Sequence, residues 1–310
     1  MAVTTPSTRT PRTPPDPGRD RRGRPRWAAG RLILLAALPA LLVLLIFFVV
    51  PAVRLLWLSV TTPEPGLGNY AAIVADDVTL TVVLRTLGTA AIVTVVCVLV
   101  AYPYAYLMTI VTRRWRALLL AVVLIPFWTS LMARTFAWVV LLQDNGIVNQ
   151  LLTVAGVGPV RMLGTTTGVA LAMAQVMLPF VVLPVYTAMR GIDRRLVAAA
   201  QSLGARPAVA FARVYLPLSF PGVAAGATLV MVLSLGFYVT PALVGSPQQS
   251  MLAQFISVQV NQLVNFGAAG ALAVTLLLVT LLLLGAVQVL TRTRGGRGGG
   301  ISSGVAGGVS

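Results

Sequence analysis

The sequence predicts an all-α membrane protein with six transmembrane helices and both termini on the cytoplasmic side. Three observations predict it. Of 310 residues, 57% are hydrophobic and only 10% are charged, against roughly 25% charged in soluble domains. Mean hydropathy is +0.90, more than a buried core demands. The net charge is +16, and the 23 basic residues, all Arg, gather between the apolar stretches.

A spanning helix needs about 20 mostly apolar residues, and six stretches qualify. The first, Leu32 to Leu55, is nearly pure Leu, Val, Ile, Phe and Ala. It is too long for a signal-peptide core and lacks a cleavage site, so it reads as an uncleaved helix. The second runs from Val82 to Ile110. The third, Ala117 to Leu142, contains Pro126 and Arg134. The fourth, Thr166 to Met189, contains Pro179 and Pro184. The fifth runs from Gly222 to Val244 and the sixth from Phe266 to Leu290. Proline is tolerable within such spans because neighbouring helices satisfy the freed carbonyls.

The Arg residues orient them. Eight precede the first span, Arg113, Arg114 and Arg116 follow the second, five follow the fourth, and three follow the sixth. The opposite side carries Arg161, Glu64, Asp76, Asp77 and Asp144. Basic residues collect on the cytoplasmic side of membrane proteins, so the charge is an orientation signal and not a nucleic-acid footprint. Residues 1–28 are expected to be a disordered Arg/Pro-rich cytoplasmic tail whose Arg cluster serves as an orientation signal, the alternative being a contact with anionic membrane lipid. Residues 29–291 form the membrane domain, and residues 292–310 a Gly/Ser-rich cytoplasmic tail.

Residue absences narrow the chemistry. Without Lys there is no Walker-A phosphate loop. Without His there is no Ser-His-Asp triad and no imidazole metal site. The single Cys97 precludes an intrachain disulfide. No catalytic residue, metal ligand or cofactor is expected on this chain.

The loop between the fourth and fifth spans is too patterned for a linker. Leu196 to Leu203 is Ala-rich and favours helix. Gly204 suits a left-handed helix end, and Pro207 opens a second short helix. The result is helix, sharp turn, helix on the cytoplasmic face. An exposed Ala-rich helix is a docking surface; the alternative, a helix resting on lipid, requires a stronger apolar/basic moment.

This stretch resembles the cytoplasmic signature of permease subunits of bacterial ATP-binding-cassette importers. The resemblance rests on Ala198-Ala199-Ala200, then Gly204-Ala205 after three residues, then Phe211, Val214, Leu216-Pro217 and Pro221-Gly222. The usual leading Glu, which helps hold the loop in the family, is Ala198 here. The resemblance implies the six-helix importer-permease (MetI-like) core with a cytoplasmic coupling helix. Ala198, Ala199, Ala200, Gly204, Ala205 and Phe211 would then seat in a separate ATPase subunit, present as a dimer, which holds the ATP and Mg. It also implies a second permease subunit, a different chain, and an extracytoplasmic solute-binding protein.

Further stretches resemble the spermidine/putrescine branch, first permease subunit: Pro126 to Ser130, Arg134 to Trp138, Asp144 to Asn149 and Phe237 to Gly245. This implies a polyamine substrate; opines and other small amino-acid-like solutes remain open. Polycations are served by aromatic faces, and Phe127, Trp128, Trp138, Phe237 and Tyr238 are the candidate pathway residues. Arg134, an ionisable residue inside a span, joins them by default, with Asp144 as a possible ion-pair partner. A secondary transporter would place carboxylates at mid-membrane, and the spans contain none. A membrane scaffold would have no need of the Gly204 loop.

Overall fold

The computed structural model describes residues 37–295, so most of the two predicted tails lies outside the described residues. The chain divides into two compact units, residues 1–54 and 55–310. The described part of the first is the opening of helix α1 (Ala37–Thr61), apolar up to Arg54.

Among the described residues the second unit contains helices and no strand. After α1 come α2 (Gly68–Ala75), α3 (Asp77–Ile110), α4 (Arg113–Trp128), α5 (Leu131–Leu141) and α6 (Ile147–Val154). Then follow α7 (Thr166–Arg190), α8 (Arg194–Ser202), α9 (Pro207–Leu235), α10 (Val239–Val244), α11 (Leu252–Asn261) and α12 (Phe266–Gly295). Five helices, α1, α3, α7, α9 and α12, are long and apolar enough to span, and the bent pair α4 and α5 makes a sixth if counted as one.

That bend corrects the third predicted span. The apolar run from Ala117 to Leu142 is not one helix: α4 and α5 meet at 100°. Pro126 has no N–H, and the Thr129 hydroxyl donates to the Pro126 carbonyl at 2.7 Å. Thr129 and Ser130 turn extended, so the helix is capped and redirected.

The fifth span is also corrected. It starts at Pro207 instead of Gly222 and ends at Leu235, not Val244. Gly236 closes it, and Pro241, unable to continue a helix, sits in the first turn of the separate α10. The second short helix after Gly204 is therefore the base of this span.

Continuity through Pro217 rests on a π turn at Phe211–Tyr215. A helical proline clashes with the carbonyl four residues earlier, here Arg213, and the wider turn relieves it. The π turn Leu45–Val49 of α1 stands in the same relation to Pro51.

The core is three helices. α7 packs along both α3 and α9, which also touch each other. Val93 and Cys97 of α3, Met173, Val181 and Val185 of α7, and Val230 of α9 are fully or almost fully buried. Close approach depends on Gly222 and Gly226, spaced four apart on α9. A Cβ on Gly222 would lie 2.4 Å from Ala188 Cβ, and one on Gly226 would lie 3.0 Å from Val181 Cα. Small residues at this spacing let membrane helices meet backbone to backbone.

The N-terminus of α3 is capped by Asp76, whose carboxylate accepts from the Thr79 hydroxyl (2.5 Å) and the Thr79 N–H (3.0 Å). The Thr79 bonds hold its pKa below the ordinary carboxylate value.

Candidate functional site

The loop between α7 and α9 is built from caps. Asp193 caps α8, its carboxylate accepting from the Arg195 N–H at 2.9 Å. At the other end the Gly204 N–H donates to the Gln201 carbonyl (2.9 Å) and the Ala205 N–H to the Ala200 carbonyl (3.1 Å). With Gly204 at φ +92°, this is a complete Schellman ending, as the left-handed expectation for Gly204 requires. Pro207 occupies the first turn of α9. The Arg194 guanidinium donates to the Thr109 carbonyl at the end of α3. The loop is thus held without the Glu that Ala198 replaces.

Ala198, Ala199 and Gly204 are exposed, and Ala200 and Ala205 half-buried. Between them Leu203 is 90% exposed, a large apolar side chain at the tip of a small-residue surface. The motif passes over Leu203, whose signal in the sequence is an apolar residue one position before a helix-ending Gly. Phe211 lies on the other side. It stacks on Tyr215 (centroids 5.3 Å) and meets Tyr106 edge-on (5.4 Å). It connects the loop to α3 and is not part of the exposed surface.

The pathway candidates separate into two groups. Thr135 of α5 and Thr240 of α10 are both buried, their hydroxyls 3.3 Å apart, and these two helices pack together. This brings the element bearing Arg134 and Trp138 alongside the one that follows Phe237 and Tyr238. Trp138 donates to Gln175 of α7 at 3.4 Å. Phe127 and Trp128 lie before the 100° bend. Phe127 meets Phe180 of α7 edge-on at 5.2 Å, while Trp128 is 89% exposed. Gln175 carries neither charge nor aromatic ring, so the sequence pattern does not single it out.

The expected Arg134–Asp144 pair is not formed. Arg134 Nε is buried without a hydrogen-bond partner. Asp144 instead lines a polar cleft of about 390 Å³ with Gln143, Asn145 and Arg161. The intervening turn carries Asp144 beyond the end of α5.

The chain therefore combines a small-residue loop at the end of a three-helix core with a span broken after Trp128, where Phe127 meets Phe180 of α7. Residues 101–293 match the family profile described as binding-protein-dependent transport system inner membrane component. The chain belongs to that family. As a member it is a multi-pass inner-membrane protein and a permease subunit of an ABC importer, and the matched residues contain the whole α7–α9 loop. Its relatives include the spermidine/putrescine transport system permease protein PotB of Haemophilus influenzae. That protein is 34% identical over 205 residues, covering 65% of this chain and 72% of the relative. PotB of Escherichia coli is 32% identical over 222 residues, with 70% and 80% covered. Among solved structures, a bacterial alginate ABC transporter in complex with an alginate pentasaccharide-bound periplasmic protein shares the fold. There the TM-score is 0.71 at 18% identity, covering 88% of this chain and 98% of the other.

Proposed function

We propose that this permease subunit forms half of the translocation pathway for a polyamine of the spermidine/putrescine class. The observation that carries the substrate is its similarity to PotB proteins at 32–34% identity. In this reading both termini are cytoplasmic, and the α8–Gly204 surface docks on a dimeric ATPase subunit that binds ATP and Mg. A second, different permease chain completes the pathway, and an extracytoplasmic binding protein delivers the solute.

Two measurements test it. Pull-down of the wild-type chain should recover an ATPase subunit, and Gly204→Arg should abolish recovery; recovery that persists in the variant removes the docking role. Uptake into vesicles should then show labelled spermidine accumulating with ATP.

Arg134 favours a second reading. Its Nε is buried without a hydrogen-bond partner among the described residues, and a cation inside a span seeks an anion. A carboxylate-bearing solute such as an opine would supply one. Arg134→Ala should impair transport and leave ATPase recruitment intact. If the loss falls on a carboxylate solute while spermidine is not carried, the second reading replaces the first.

A further inference from the structure

Three arginines from different elements converge at the base of the loop. Arg116 of α4, Arg190 at the end of α7 and Arg194 at the start of α8 line a cavity of about 170 Å³ with Thr109, Tyr186 and Met189. Among the described residues no carboxylate lines it. The one acidic residue nearby in sequence, Asp193, is engaged as the cap of α8.

Two of the three are aimed by the backbone. Arg116 donates from Nε to the Met108 carbonyl (2.9 Å) and from Nη2 to the Val111 carbonyl (3.2 Å). Arg194 donates from Nη2 to the Thr109 carbonyl. Each keeps further N–H groups in hand, because a guanidinium carries five. Arg190 makes no guanidinium hydrogen bond among the described residues. Capping the end of α3 explains Arg116 and Arg194; it does not explain Arg190, nor a cavity with three cations around it.

The neighbourhood fixes the level of this cavity. α4 begins Arg113-Arg114-Trp115-Arg116, and Trp115 is 61% exposed. An exposed Trp beside a run of Arg at a helix end marks the headgroup layer of a bilayer. Basic pockets between helices at that level bind anionic headgroups, and guanidinium forks fit phosphate oxygens in pairs.

We propose that Arg116, Arg190 and Arg194 form a binding site for the phosphate of an anionic phospholipid, seated where α3, α4, α7 and α8 meet. The lipid would neutralise the cations around the foot of α8, including Arg194 that braces it on α3, tying the loop's stance to the charge of the leaflet. The leaflet assignment rests on the cytoplasmic placement of α8 proposed above; the phosphate chemistry does not.

Native mass spectrometry of the purified, delipidated permease assembly tests this, with phosphatidylglycerol as ligand and phosphatidylcholine as the zwitterionic control. Wild type should retain phosphatidylglycerol under conditions that strip phosphatidylcholine. Arg190→Gln removes a side chain with no internal bond, so the fold is kept, and retention should fall about fivefold, the effect of one basic residue at a membrane surface. Arg190→Lys should restore most of it. Equal retention of the two lipids, or no change in Arg190→Gln, overturns the proposal. Displacement of phosphatidylglycerol by millimolar inorganic phosphate would make the occupant a free anion and also overturn it. ATPase recovery is measured on the same samples. If Arg190→Gln loses the ATPase and keeps the lipid, the cavity is a protein contact. Failure of the docking reading appears separately, as ATPase recovery by Gly204→Arg.

Discussion

Leu203 shows how much depends on one side chain. At 90% exposure it is held in water by the ending of α8, while Ala198 and Ala199 beside it leave room for an incoming surface. Burying a Leu contributes about 2 kcal/mol, roughly 30-fold in affinity. Leu203→Asp should therefore weaken ATPase binding by at least that factor without altering the helical content of the chain. Titration of labelled ATPase onto the reconstituted permease measures it, and unchanged affinity would place the contact elsewhere. Gly204 has a different role. Nothing lies within 4 Å of where its Cβ would be, so the demand is its left-handed backbone alone, and any other residue there is strained by about 1 kcal/mol or more.

Among the elements, the crossing of α7 and α9 is the most exacting contact. Gly222 faces Ala188 and the Pro184 carbonyl, the latter at 2.8 Å from a Cβ placed there. Gly222→Val should cost at least about 1–3 kcal/mol through overpacking, read as a lowered melting temperature in detergent. Gly285 of α12 has open space, so Gly285→Ala should be neutral or slightly stabilising. Similar losses in both would mean that glycine itself, and not the crossing, sets the stability. The same elements show what the sequence could reveal. The loop's ending was legible because Gly204 can take a left-handed backbone without strain and Pro207 is tolerated in a helix's first turn. The break after α4 was not. Pro103, Pro179 and Pro184 all sit inside unbroken helices, so Pro126 alone decides nothing; the break comes where Thr129 turns extended and its hydroxyl takes the Pro126 carbonyl. The π turns are tertiary compromises around Pro51 and Pro217 that an apolar pattern does not record.

For the whole molecule, hydropathy gave the number of apolar spans to within the bent pair, because apolar length is a local property. Pairing is not. The Thr135–Thr240 contact joins residues 105 positions apart, and the cavity of three arginines draws on three elements, so neither could be read from spacing. Orientation remains a property of the assembled chain, and Cys97 makes it measurable. It is fully buried, its thiol facing the Ala174 carbonyl at 3.3 Å, so it should resist a membrane-impermeant maleimide. Ser202→Cys should label only after the membrane is permeabilised, whereas Asn145→Cys should label in intact spheroplasts. The reverse pattern would invert the topology.

Helix α9 has a mechanical consequence. It runs unbroken from Pro207, three residues past the docking turn, to Leu235. Its 29 residues make a rod of about 44 Å at 1.5 Å per residue. A tilt of about 5° at its foot would sweep its far end through about 4 Å over that length, directly beneath Phe237 and Tyr238. The π turn at Phe211–Tyr215 interrupts the α-helical bonding near the foot of the rod, and its aromatic contacts tie that foot to α3. If the Gly204 turn docks as proposed, Phe211 is where a push on the turn divides between α9 and α3.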